Sequence, residues 1–216
     1  MTYNPPEYWT ERLGASGLDL RGVGNCSLSH AMNQQLHEAA WNVLKTEAEK
    51  HGIQWPNCRV LDIGCGTGFY GTHLAGMGVK DYTGIDITDV LFPTVRCLLP
   101  TTYRLIRCDA TKDALPEGPF DVVLMIDVTQ HIVDDAAFGR ACEAIKNCLA
   151  PKGYLFVTSW LDAGARASEY ERSRDLSAYE KAFAGWTISK PVRFRDKWLL
   201  CIESPGEERN GLRKDD

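Results

Sequence analysis

The sequence predicts an α/β domain built on a mostly parallel sheet. Short apolar runs alternate with helical patterns along most of the chain. Four of those runs end on an aspartate, at Asp62, Asp86, Asp109 and Asp127. The third observation is the stretch from Cys58 to Tyr70, where apolar alternation gives way to Gly64, Gly66 and Gly68 and then to a helical pattern. Glycine lets the backbone turn sharply and lets a ligand lie directly against it. A strand, a glycine turn and a helix N-terminus together make a nucleotide site at the carboxyl edge of a sheet. Asp62 puts a carboxylate where a pyrophosphate would be repelled, so the turn suits a ligand with a cationic end and no phosphates.

At 216 residues the chain is long enough for one domain with a full core. We read residues 1–216 as a single domain: an N-terminal helical lid segment over 1–52, a core over 53–204 and a charged tail over 205–216. The net charge of -5 argues against broad nucleic-acid or membrane partners. Arg193, Arg195 and Lys197 form the one notable basic cluster and read as a solvated strand face. The eight cysteines have neither CxxC nor zinc-finger spacing, and several fall in core segments as small hydrophobes. A basic start followed by an apolar run is not visible, nor is a stretch of membrane-spanning length. The expectation is a cytoplasmic protein with reduced thiols, its oligomeric state open.

Taken in order, the chain opens with a helical pattern from Glu7 to Leu13 and a glycine-rich loop from Gly14 to Asn25, mobile or closing over something. Ser27 or Ser29 caps a helix over 28–50, whose Met32, Leu36, Ala40, Val43 and Leu44 recur at helical spacing. His30 and His37 lie on it, too few to hold a metal. The first strand and its glycine turn lead into a helix from Phe69 to Met77, stopped by Gly76 and Gly78. A strand over Tyr82 to Ile87, a helix over 89–98 and a strand over Tyr103 to Cys108 follow. Phe120 to Ile126 is continuously apolar after Asp121, as in the middle of a sheet covered on both faces. Asp134 and Asp135 open the next helix, where acids favour the macrodipole. Ala150 to Gly153 breaks it before a strand over Tyr154 to Ser159. A polar stretch from Leu161 to Leu176, a helix over Ser177 to Ala184 and antiparallel strands near 186–194 and 198–203 complete the reading.

The four aspartates share one rim. Asp86 falls about twenty residues beyond the glycine turn, the spacing at which an acid takes a ribose hydroxyl pair. Asp109, one strand further out, is placed to accept from an adenine amino group, which leaves Asp62 and the fourth loop for a cationic group. Val60 to Gly68 resembles the first motif of class I S-adenosylmethionine-dependent methyltransferases, and Tyr82 to Ile87 resembles their second. Cys108-Asp109-Ala110, Phe120 to Val123 with Asp127, and Leu149 to Leu155 are similar to the family's following segments, so the likeness covers about 55–160.

The resemblance implies a Rossmann-like, seven-stranded, mostly parallel sheet with an antiparallel last strand and helices on both faces. It also implies S-adenosyl-L-methionine as cofactor and S-adenosyl-L-homocysteine as product. Gly64, Gly66 and Gly68 would lie under the methionyl part, and Asp86 would bind the ribose, with Ile87 against the adenine ring. Asp109 and Ala110 would hold the adenine edge, and Asp127 would lie near the methionyl amino group. Lys152-Gly153 departs from the two glycines the family often has. Tyr8 to Arg12 resembles the start of small-molecule members, which implies that Arg12 pairs with the methionyl carboxylate.

Methyl transfer is an in-line displacement that needs a nucleophile held at near-attack distance and, for a hydroxyl or protonated amine, a base. His131, just past the fourth strand, is the candidate base; a helix-capping histidine is the alternative. Trp160 is placed to wall the acceptor pocket or to favour the sulfonium through cation–π attraction. The expected acceptor is an oxygen or nitrogen of a small molecule, a sugar or natural-product intermediate, with no metal. Gly66 to Gly71 also matches GxGxxG, the pattern of a nicotinamide-dependent oxidoreductase, but in the wrong register after the strand. A catalytically silent partner subunit is the third reading.

Overall fold

The computed structural model describes residues 3–162 and 168–206. Part of the polar stretch and nearly all of the charged tail therefore lie outside the described residues. The elements in order are α1 (Pro5–Ser16), α2 (His30–Lys50), β1 (Arg59–Ile63), α3 (Phe69–Gly76), β2 (Asp81–Asp86), α4 (Phe92–Val95), β3 (Arg104–Arg107) and β4 (Phe120–Met125). Then come α5 (Asp135–Cys148), β5 (Leu149–Ser159), α6 (Leu176–Ala182), β6 (Thr187–Ile188), β7 (Val192–Phe194) and β8 (Lys197–Glu203).

The sheet runs β3-β2-β1-β4-β5-β8-β6, and β7 also pairs with β8. The first five strands are mutually parallel, while β8 is antiparallel to β5, β6 and β7. Seven strands lie on that path and β7 is the eighth, so the expected last pair is three strands. The reason is local: the segment read as one strand over 186–194 breaks at Lys190-Pro191, and each half bonds to β8 separately.

Alternation along β1 sends Val60 to one face and Leu61 and Ile63 to the other. On the first face α2 and α3 supply Trp41, Leu44 and Leu74, packed with Tyr82, Phe156 and Phe194. On the second, α5 and α6 supply Phe138, Ile145 and Tyr179 against Val123 and Leu155. Helix starts are fixed by side-chain caps: Ser29 accepts from the Met32 amide at 3.2 Å and Asp134 from the Ala137 amide at 2.7 Å.

Two further expectations change. The helix read over 89–98 is a single turn, because Pro93 and Pro100 flank a segment that proceeds by turns. No break separates α5 from β5. Ala150 to Gly153 is a bulge inside β5, where pairing to β4 shifts between Phe120 and Val122 and Lys152 takes φ 61.

The loop after α1 is braced. Asn33, 1% exposed on α2, accepts from the Asn25 amide and donates to the Asn25 carbonyl, both at 2.9 Å. Arg12 donates to the Gly22 carbonyl at 2.7 Å and the Gly24 carbonyl at 3.2 Å. A Cβ on Gly24 would stand 2.4 Å from Asn33 Oδ1, so only glycine passes there. The loop closes over the glycine turn: a Cβ on Gly66 would meet Val23 Cγ1 at 3.1 Å.

Candidate active site

At the carboxyl ends of β1 to β4 lies a cavity of about 410 Å³, within the usual range of small-molecule sites. Its floor is the glycine turn from Ile63 to Thr67; Asp86 and Ile87, then Cys108 to Lys112, form one side. Ile126 to Val128 and His131 form the other, and Tyr3, Trp9, Leu13, Val23 and His37 come from the N-terminal segment.

Gly64 has φ 78 and Gly66 has φ 47, conformations that favour glycine. The amides of Gly64 and Cys65 donate to the Ile85 carbonyl at 2.8 and 3.0 Å, tying the turn to the end of β2. Asp86 Oδ2 accepts from the Gly66 amide at 2.9 Å and Oδ1 from the Thr88 amide at 3.2 Å. A carboxylate has about four lone-pair sites, so this one keeps acceptor capacity for a ligand. Burial pushes its pKa up to about 6, against the pull of the Gly66, Thr88 and Ile87 amides.

Asp109 lines the same side, but its carboxylate takes the Thr111 amide at 3.0 Å and hydroxyl at 2.6 Å and pairs with Lys112 at 3.0 Å. Asp127, at φ 60, points its carboxylate to Arg195 and to Lys197 Nζ at 2.8 Å. Arg195 and Lys197 are thus no solvated strand face: the hairpin of β7 and β8 drives both cations toward the rim.

His131 follows β4 in a turn of 3₁₀ helix, Thr129–His131. Its Nδ1 lies 3.0 Å from the Tyr170 carbonyl, which only accepts, so Nδ1 carries the proton. Nε2 is then a lone pair, 3.4 Å from Gln130 Nε2. Trp9 packs edge-on against the ring at 4.8 Å between centroids. Burial lowers the His131 pKa to about 4, and the Lys197 and Arg12 charges act in the same direction.

Residues 60–153 match the family described as a methyltransferase domain. Those 94 of the 216 residues are similar to the class I S-adenosylmethionine-dependent methyltransferases. A ubiquinone biosynthesis O-methyltransferase of Neisseria meningitidis serogroup C is 33% identical over 107 residues, 47% of this chain and 43% of that protein. Its namesake from Xylella fastidiosa strain M23 is 31% identical over 137 residues, 60% of this chain and 52% of that protein. The chain therefore spans about half the length of the curated relatives it matches. The fold is shared with magnesium protoporphyrin IX methyltransferase from Synechocystis PCC 6803, solved with bound S-adenosylmethionine. That likeness has a TM-score of 0.69 at 17% identity and covers 94% of this chain and 98% of that one.

Gly64, Gly66, Asp86, Ile87, Asp109, Ala110, Asp127 and His131 all line one cavity. Three expected residues do not. Asp62 is 2% exposed and accepts from the Tyr82 hydroxyl at 2.7 Å, with its pKa pushed up to about 7 by burial. It faces the core, so it repels nothing at the turn. Gly68 caps α3 at φ 75, where a Cβ would meet Val95 Cγ1 at 2.6 Å. Arg12 is committed to the loop carbonyls, the Tyr8 hydroxyl at 2.8 Å and Cys26 Sγ at 3.2 Å. Trp160 lies outside the cavity; its Nε1 donates to Asp196 at 2.9 Å, and Lys197 Nζ stands 5.0 Å from its ring.

The sequence alone does not place His37, Tyr70, Val23 or Tyr3 at this cavity. The helical spacing of His37 with Trp41 was the one available signal. No helix of the described residues is long and apolar enough to cross a membrane, and they hold no group of three or more His, Cys, Asp or Glu able to bind a metal.

Proposed function

We propose that this chain is an S-adenosylmethionine-dependent methyltransferase acting on an oxygen or nitrogen of a small-molecule acceptor, within one domain covered by residues 1–52. The observation that carries the reading is Asp86, a carboxylate 8% exposed, fixed by the glycine-turn amide and open to the cavity. The residues present fit the cofactor: the turn is a cradle that side chains would fill, since a Cβ on Gly64 would stand 2.4 Å from Val128 Cγ2. Gly64 and Gly66 would hold the methionyl part, Asp86 the ribose, and Ile87 and Ala110 the adenine. S-adenosylmethionine supplies the methyl group and a neutral thioether leaving group.

The chain's own tasks are to hold the acceptor in line, exclude water and take a proton. His131 Nε2 is the base for that proton, its ring held by the Tyr170 carbonyl and Trp9. The relatives named for O-methylation support oxygen over nitrogen. Eight free cysteines support a reducing, cytoplasmic setting.

Calorimetric titration with S-adenosylmethionine, S-adenosylhomocysteine and NADH tests the reading. The first two are expected to bind and NADH is not; NADH binding alone overturns it. Asp86→Ala is expected to weaken S-adenosylhomocysteine at least tenfold, as loss of a charged acceptor typically costs about 1.5–3 kcal/mol. Unchanged affinity would remove Asp86 from the ribose site.

A further inference from the structure

Two polar groups at the α2–α3 end of the cavity play no part in the chemistry described so far. His37, 4% exposed, has Nδ1 2.8 Å from the Asn33 carbonyl, so Nδ1 carries the proton and Nε2 is a lone pair with no partner among the described residues. Tyr70, the second residue of α3, has a buried hydroxyl that is likewise without a partner. Both side chains line the cavity. Buried polar groups are seldom left unpaired, and those that are call for an explanation.

Charge and donor count define what completes the pair. Burial first, then Arg195, holds the His37 pKa down at about 4, so Nε2 accepts and does not donate at neutral pH. A carboxylate there would face the His37 lone pair, and Arg195 is already paired with Asp127. A cation would face Arg195, whose charge reaches both His37 and Tyr70. An un-ionised hydroxyl can donate to His37 Nε2 and accept from Tyr70, the two roles the pair leaves open. Phe69 packs edge-on against the His37 ring at 5.4 Å between centroids, and Trp9, Leu13 and Val23 add apolar lining to the same cavity.

Resting on the methyltransferase reading, we infer that His37 and Tyr70 form an acceptor subsite that selects a hydroxyl on an otherwise apolar, phenol-like molecule. The position agrees with the sheet order. The residues assigned to the cofactor's adenosine end follow β2 and β3, whereas Arg195 reaches Asp127 from the β8 side of β4. Both His37 and Tyr70 are positioning residues.

The test uses the full chain saturated with S-adenosylhomocysteine and three probes, phenol, anisole and benzoate, followed by ligand-observed NMR. Phenol is expected to bind at least tenfold more tightly than either of the others. Tyr70→Phe, which removes one oxygen and keeps the ring, should abolish that preference and leave S-adenosylhomocysteine affinity within twofold. Equal binding of the three probes overturns the subsite, as does a preference that survives Tyr70→Phe. If Tyr70→Phe weakens S-adenosylhomocysteine instead, the pair holds the methionyl end of the cofactor and the subsite is again overturned. A wild-type chain that does not bind S-adenosylhomocysteine overturns the methyltransferase reading, and the subsite with it.

Discussion

Replacing Gly64 by alanine is expected to weaken S-adenosylhomocysteine binding at least a hundredfold, about 2.7 kcal/mol. The residue sits at φ 78, where an L side chain costs about 1–2 kcal/mol. Its new Cβ would stand 2.4 Å from Val128 Cγ2, closer than carbon atoms approach. The turn has little room to yield, because the Gly64 and Cys65 amides are both bonded to the Ile85 carbonyl. Val128 lines the cavity, so whichever partner moves, the cradle changes shape. The double variant Gly64→Ala/Val128→Ala removes the collision and keeps the strain, and is expected to regain part of the loss. Calorimetry on the three proteins decides it; wild-type affinity in the single variant means that no ligand lies against Gly64.

His131→Ala is expected to lower turnover about a hundredfold, at the low end of what a positioned base contributes. Cofactor affinity should stay within about twofold. The measurement is S-adenosylhomocysteine release with the fastest hydroxyl-bearing acceptor of a small panel; full activity removes His131 as the base.

The pH dependence separates its role from that of Asp86. With a pKa of about 4, His131 is neutral through the physiological range, so kcat should stay flat from pH 8 to 6. Asp86, at about 6, loses its acceptor capacity as pH falls through that value, so KM for S-adenosylmethionine should rise below pH 6. Asp86→Asn should abolish that limb. The stability effect has the opposite sign. Asp62 and Asp86 bind protons more tightly folded than unfolded, so their contribution grows as pH falls from about 7 toward 4 and is lost as it rises.

What was legible in the sequence is what is local. The glycine turn, Asp86 and Asp109 follow from a strand, a turn and the next element, each within a dozen residues, and the parallel sheet follows from their alternation. Arg195 and Lys197 read as a surface feature because nothing near them in the chain announces Asp127, 68 and 70 positions away. Only the pairing of β8 with β5 brings them together. His37 was hidden for the same reason, since its cavity wall is assembled from α2 and α3. Asp62 and Arg12 failed differently: their residue types suited the ligand, but a buried tyrosine hydroxyl and two loop carbonyls, all obliged to find partners, claimed them first.

Arg12 gives the covering segment a mechanical unity. One guanidinium joins α1 to the carbonyls at residues 22 and 24, and Asn33 joins the same loop to α2, so residues 5–33 are cross-braced as a single piece. Val23 of that piece lies over the glycine turn, so the piece is expected to move when a ligand enters the cradle. The expected signature is a loading rate, followed by stopped-flow fluorescence, that levels off at high ligand concentration; a rate that climbs linearly means that the piece does not gate the cradle.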